Sequence, residues 1–228
     1  VNAAKSKVSV RVTIILRRLR AAYPDFRCAL HHDDPLQLLI ATILSAQCTD
    51  ERVNQVTPAL FARYRTAADF AASPPGELEA LIHSTGFFRN KARAIRNCCR
   101  AIVERHGGHV PRTMAELTQL EGIGRKTANV VLGTAFGVAD GIVVDTHVAR
   151  LSRRMGFTRA ATTEKIECAL VRIVRRGDWI DFSHLLIWHG RRRCMARQPD
   201  CAHCEIMQWC PRVGVKPNSI SRLKAESR

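Results

Sequence analysis

With 228 residues, 46% of them hydrophobic and 6% aromatic, the chain can bury one large core or two small ones, and its composition favours helices over a β-sandwich. Lys and Arg outnumber Asp and Glu by 36 to 20, and the formal charge of +16 calls for an anionic partner. No apolar run reaches the roughly 18 residues of a membrane span, and nothing marks secretion, so a reducing cytoplasm is the expected setting.

From Val1 to Arg20 all charges are basic, as in an organellar transit peptide, but Val8, Val12, Ile15, Leu16 and Leu19 suit an amphipathic helix docked on the body. After a connector from Tyr23 to His32, Asp34-Pro35 is a good N-cap and first-turn pair. The helix behind it places Leu36, Leu39, Ile40, Ile43 and Leu44 at helical spacing. It ends in Leu-Ser-Ala-Gln-Cys-Thr-Asp, residues 44–50, where Thr49 can cap the next helix. Short helices follow, punctuated by Pro58, Thr66, Ser73-Pro74-Pro75 and Thr85-Gly86. Beyond Gly86-Phe87-Phe88, residues Arg89, Lys91, Arg93 and Arg96 form a basic face suited to phosphates or to water. Gly107-Gly108-His109-Val110-Pro111 then breaks the chain.

Thr113 and Glu116 have the spacing of a capping box, opening a short helix through Leu120. Gly122-Ile123-Gly124 reads as a tight turn that needs positive φ or close backbone approach. A second helix should start near Arg125 and bury Ala128, Val131, Leu132 and Ala135. Its N-terminus, with partial positive charge and free amides, is suited to a phosphate. A link from Val138 leads to Val144-Asp145-Thr146-His147. Further helices are expected over 148–155, 164–175 and 182–188, and the basic tail after Val215 is expected to be loosely ordered.

Cys28, Cys48, Cys98, Cys99 and Cys168 are scattered and read as small hydrophobes or lightly exposed thiols. Cys194, Cys201, Cys204 and Cys210 are different, with the spacing C-x6-C-x2-C-x5-C. Thiolates this close can enclose one metal centre, whereas zinc ribbons usually set two C-x2-C pairs farther apart.

These stretches resemble the endonuclease III family, and the resemblance runs from about residue 8 to residue 212. Leu44–Asp50, Gly86–Ala92, Gly122–Lys126, Val144–His147 and the four-cysteine spacing carry it. It implies an all-α fold of two domains, a six-helix domain over 28–138 and a cluster domain from 1–27 and 139–228. It also implies a bifunctional DNA glycosylase and abasic-site lyase of base excision repair. Such an enzyme removes oxidised pyrimidines through a lysine Schiff base and nicks the strand by β-elimination. Lys126 and Asp145 match the catalytic pair, and the four cysteines match the ligands of a 4Fe–4S cluster. Gln47, Phe87, Arg89, Lys91, Gly122, Gly124, Arg125 and Arg197 fall where DNA contacts are expected. The expected partner is duplex DNA with damaged bases or abasic sites, met by a monomer in the cytoplasm at the nucleoid, with no membrane.

Two departures stand out. Phe87 occupies a position that is usually leucine, with Phe88 as the alternative wedge, and the link before Asp145 looks one residue longer. The related adenine glycosylases share the cluster but generally lack the hairpin lysine, and a silent DNA-binding module would need neither Lys126 nor Asp145. A nucleophilic lysine must lose its proton near neutral pH, and burial, Arg125 and the helix N-terminus would each disfavour its charge. Asp145 would oppose this, so its value lies in stabilising a cationic sugar or moving a proton. For His147 a structural hydrogen bond is the favoured reading.

Overall fold

The computed structural model describes residues 2–216, with side chains from Lys7 onward, and its elements are helices joined by turns. Among the described residues there is no strand, in keeping with the all-α expectation, and no helix long and apolar enough to cross a membrane. The tail after Val215 lies, apart from Lys216, outside the described residues. The chain divides into two compact units, Cys28–Asp140 and Val1–Arg27 with Gly141–Arg228, each with its own apolar core.

The N-terminal helix α1 (Asn2–Ala22) belongs to the second unit. Cys28–Asp140, the hairpin unit, opens with α2 (Pro35–Leu44). Asp34 caps α2 by accepting from the Gln37 N–H at 2.8 Å, with Pro35 in the first turn. The spacing of its leucines and isoleucines suggests one buried stripe, but every residue from Leu38 to Leu44 is buried. A helix apolar on all sides sits inside its unit.

Helix α3 (Asp50–Arg63), capped by Thr49, runs straight through Pro58 rather than breaking there. Val53, Thr57 and Leu60 form a buried stripe spanning the proline. Burying a Val or Leu side chain stabilises by about 1.5–3 kcal/mol, enough together to offset a proline costing about 3 kcal/mol. Short helices α4 (Ala67–Ala71) and α5 (Glu77–Ile82) and a 3-10 turn (His83–Thr85) lead to α6 (Phe88–His106), which buries Ala92, Ile95, Cys99 and Ile102 at spacings of three and four. The single turn α7 (Met114–Leu117) ends three residues before the expected Leu120, and α8 (Arg125–Phe136) starts where expected. Only half of the capping box at α7 forms as drawn. Thr113 Oγ1 accepts from the Glu116 N–H, while the Thr113 hydroxyl donates to the Glu116 carboxylate at 2.6 Å.

The second unit, the cysteine unit, packs α1 with α9 (Thr146–Arg154), α10 (Thr163–Leu170) and α11 (Trp179–Arg192). Val12, Ile15, Leu16 and Leu19 of α1 are buried as their spacing requires. Helix α10 stops five residues short of the expected Arg175.

Candidate active site

In the hairpin unit, Leu120 and Ile123 are sunk in the core, and the Ile123 N–H donates to the Leu120 carbonyl at 3.1 Å. They pin the turn from below. Gly122 has φ +80°, which favours glycine, and a Cβ there would also lie a tight 3.2 Å from Ala94 Cβ. Gly124 is different: its φ is −87°, and a Cβ would meet nothing within 4 Å. It is the N-cap of α8 and offers no side chain to the amides of the first turn. Lys126 is the second residue of α8 and is exposed, where the sequence reading had included burial. Arg125 is also exposed, 4.0 Å from the Asp140 carboxylate.

Gln47 and Phe87 share an unusual backbone. Their φ values are +53° and +48°, and Arg212 is the other non-glycine residue with positive φ among the described residues. Left-handed conformations in bulky residues are strained, and such strain gathers at functional sites. Gln47 is exposed, and Phe87 is 61% exposed at the N-cap of α6. Phe88 instead turns in and lies against His83, ring centroids 4.5 Å apart, with the Arg89 guanidinium 5.6 Å from the Phe88 ring centroid.

Lys91 is a correction. Grouped by sequence with the basic face, it is 5% exposed, and its ammonium donates to the carbonyls of Leu44 (2.7 Å) and Thr85 (2.8 Å). A helical position three residues beyond Phe88 turns it inward beside Ala92, away from the exposed Arg89 and Arg93. Burial pushes its pKa down, with Cys48 acting in the opposite sense. Arg96 is likewise engaged, bidentate to Glu79, whose carboxyl it holds near a pKa of about 2. Arg89 and Arg93 remain exposed.

In the cysteine unit, Asp145 is the N-cap of α9 and accepts from the Val148 N–H at 2.7 Å. Buried Val144 and Val148 on either side hold it in place. His147 faces Arg150 at 3.2 Å, and burial pushes its imidazole below its ordinary value, aided by Arg150 and Arg191 and opposed by Asp145. Arg150 also donates to the carbonyls of Gly190 and Cys194, at 3.0 Å each.

Gly190 escaped the sequence reading, although a lone glycine inside a helical pattern is a signal of close packing. A Cβ there would lie 2.8 Å from His147 Nδ1 and 3.2 Å from His147 Cβ. Gly190→Ala gains up to about 1 kcal/mol of helix propensity, but overpacking α9 against α11 costs about 1–3 kcal/mol. The clash wins because the nearest atom, His147 Nδ1, ends a short side chain, and Arg150 Nη2 at 3.0 Å is itself held by the Gly190 carbonyl. The expected result is a Tm lowered by about 2–8 °C. An unchanged or raised Tm in calorimetry would show that α9 gives way freely.

Cys194, Cys201, Cys204 and Cys210 line a single pocket with Ile206, Met207 and Pro199, and none of the four is in a disulfide. Arg154 holds the loop by donating to the carbonyls of Met195 (2.7 Å) and Ala196 (2.6 Å) and approaches Cys194 Sγ at 3.3 Å. Arg193 is paired with Asp200 (2.6 Å) and Glu205 (3.2 Å). Arg192 lies 3.8 Å over the Trp188 ring, and Arg197 is exposed. His189, 1% exposed, meets Tyr23 Oη at 2.9 Å and Cys204 Sγ at 3.5 Å. Burial raises the pKa of Cys201, Cys204 (to about 12) and Cys210, and neighbouring thiolates raise each further. These three thiols, gathered with Cys194 in one pocket, ionise together only if positive charge is placed among them, so the donor set fits a metal centre.

Residues 40–176 match the family described as HhH-GPD superfamily base excision DNA repair protein. The chain is 52% identical over 209 residues to endonuclease III of Synechocystis sp., covering 92% of this chain and 94% of that protein. The chain belongs to the endonuclease III family. Endonuclease III of Escherichia coli K12 is 41% identical over 196 residues, covering 86% of this chain and 92% of its own. A solved structure of a trapped endonuclease III–DNA covalent intermediate, an estranged-adenine complex, superposes with a TM-score of 0.84 at 43% identity, covering 90% of this chain and 96% of that one. A non-covalent endonuclease III–DNA complex matches with the same TM-score at 44% identity, covering 90% and 95%. As a member of the endonuclease III family, the protein is an enzyme, a DNA glycosylase and abasic-site lyase of base excision repair.

Proposed function

We propose that the protein removes oxidised or ring-saturated pyrimidines from duplex DNA with Lys126 as nucleophile and then nicks the strand by β-elimination. The observation that carries this reading is Lys126 at the glycine-capped start of α8, in a chain 43% identical to an endonuclease III trapped covalently on DNA. The Lys126 amine attacks C1′, the N-glycosidic bond breaks and the base leaves with its electron pair. Opening of the sugar gives a Schiff base at C1′. Loss of the C2′ proton then expels the 3′ phosphate. Lys126 is exposed in the free protein, so the desolvation that favours a neutral amine is supplied by the bound DNA. Asp145, held by its cap bond, offers its second oxygen to the cationic sugar or to a proton in transit.

The four cysteines hold a 4Fe–4S cluster in this reading, and the cluster supplies the positive charge that keeps the thiolates ionised. Arg154 and Arg193 organise the loop around it, while exposed Arg197 remains for phosphate contact. Gly124, with no protein atom near its absent Cβ, lets a phosphate approach the first turn of α8, and Arg89, Arg93 and Arg125 add charge around it.

The experiment is incubation with duplexes carrying thymine glycol or a preformed abasic site, with borohydride present. The expected result is base release from the first, nicking of both and a trapped covalent adduct. Binding without nicking would make the chain a silent DNA-binding module.

The target base must leave the stack, and in this reading Gln47 and Phe87 enter the gap. Phe87→Ala is expected to slow base excision about 10–100-fold, from a stacking loss of about 1–3 kcal/mol. Nicking at preformed abasic sites, which extrude easily, should change far less. Phe87→Leu should restore most activity, and Tm should not move, because Phe87 is 61% exposed. Equal loss on both substrates with a lower Tm would assign Phe87 to packing.

A further inference from the structure

Lys91 spans two places far apart in sequence. Its ammonium takes the carbonyl of Leu44, the last residue of α2, and that of Thr85, the last residue of the 3-10 turn. Gln47 lies three residues beyond Leu44, and Phe87 two residues beyond Thr85. Each loop therefore leaves a carbonyl held by the same nitrogen and then enters a left-handed residue whose side chain is exposed.

The chemistry of this clip is specific. A carbonyl at a helix C-terminus has no partner within its helix and carries partial negative charge, so a cation is the donor it favours. Bonds from a charged donor are about twice as strong as neutral ones. Burying an ammonium is costly, and here the cost is offset by two carbonyls that an apolar side chain would leave without this donor. The cation is kept at a point where it joins the two loops. Thr85 and Ser45 reinforce the two ends through their own hydroxyls, which donate to Ile82 O and Thr42 O at 2.8 Å each.

We propose that Lys91 is a positioning residue for base excision, setting the Gln47 and Phe87 loops at one fixed spacing so that both side chains enter the DNA together. This rests on the reading of Gln47 and Phe87 as the pair that fills the gap. Lys91 itself touches neither DNA nor the reacting atoms. The substrate it governs is the intact lesion, where flipping must be driven, rather than the abasic site.

The test compares Lys91→Met, which keeps length and volume but donates nothing, with wild type and with Lys91→Arg, which keeps a charged donor. Each is assayed under single turnover on thymine glycol and abasic duplexes, below its measured Tm. A 2-aminopurine opposite the lesion reports insertion directly. The expected result for Lys91→Met is base excision slowed about 10–100-fold, abasic nicking changed less than about threefold, and a smaller 2-aminopurine signal. In that background, adding Gln47→Ala or Phe87→Ala should cost less than about threefold each, because neighbouring groups that act as a unit are non-additive. Lys91→Arg should recover most of the excision rate. If Lys91→Met does not fold, Lys91→Gln, a shorter neutral donor, carries the same comparison.

A lowered Tm with excision, signal and the Phe87→Ala penalty all as in wild type would overturn the proposal and leave Lys91 a staple of the fold. Gln47→Ala and Phe87→Ala without effect in the wild-type background would overturn it differently, by removing the gap-filling reading itself. The two failures are distinguished by which background is silent.

Discussion

Lys126→Gln protein is expected to bind duplex DNA as wild type does, yet to lose strand cleavage and borohydride trapping. Glutamine keeps polarity and nearly the length of lysine but supplies no amine, so no bond to C1′ can form. Removing a covalent nucleophile costs about three orders of magnitude or more in the chemical step. The substitution should leave Tm unchanged, because Lys126 is exposed and the turn beneath it is held by Leu120, Gly122 and Ile123. Loss of trapping at unchanged Tm and affinity therefore reports chemistry alone. Undiminished trapping would assign the nucleophile to another amine.

The second large effect is expected at Cys204. Wild-type protein should be yellow-brown with about four irons per chain, whereas Cys204→Ser should purify with less iron and a lower Tm. Cys204 sits within the pocket lined by all four cysteines and against buried His189, where a serine oxygen is a poor ligand for iron. The segment from Cys194 to Cys210 has little regular structure, only the 3-10 turn Met207–Trp209, so few backbone bonds replace the group. The arginine contacts of Arg154 and Arg193 limit the loss. A cost of about 3–5 kcal/mol corresponds to about 10 °C at this chain length. The change belongs to the cysteine unit, since the hairpin unit has its own core. Colourless, zinc-loaded and fully active wild-type protein would refute the cluster.

Local chemistry is legible in the sequence. Glycine at 122, the caps at Asp34 and Thr49, the helical stripe of α1 and the spacing of four cysteines are each properties of a few neighbouring residues. Short stretches of this kind also carry the resemblance to the endonuclease III family, and that resemblance implied the all-helical architecture.

What the sequence alone could not decide was direction and depth. Arg89 and Lys91 are two residues apart on α6, yet one faces water and the other is buried between two loops, because the helix surface turns through the core between them. Adjacent Phe87 and Phe88 part in the same way, one outward in a left-handed cap and one against His83. Arg193 was drawn to Asp200 and Glu205 by a loop whose closure depends on contacts across the cysteine unit. Gly190 shows its purpose only against His147, 43 positions away in the chain, since a missing Cβ matters only beside an atom that needs its space. Composition and spacing determined which chemistry the chain carries; tertiary packing decided which charged and aromatic side chains are free to use it.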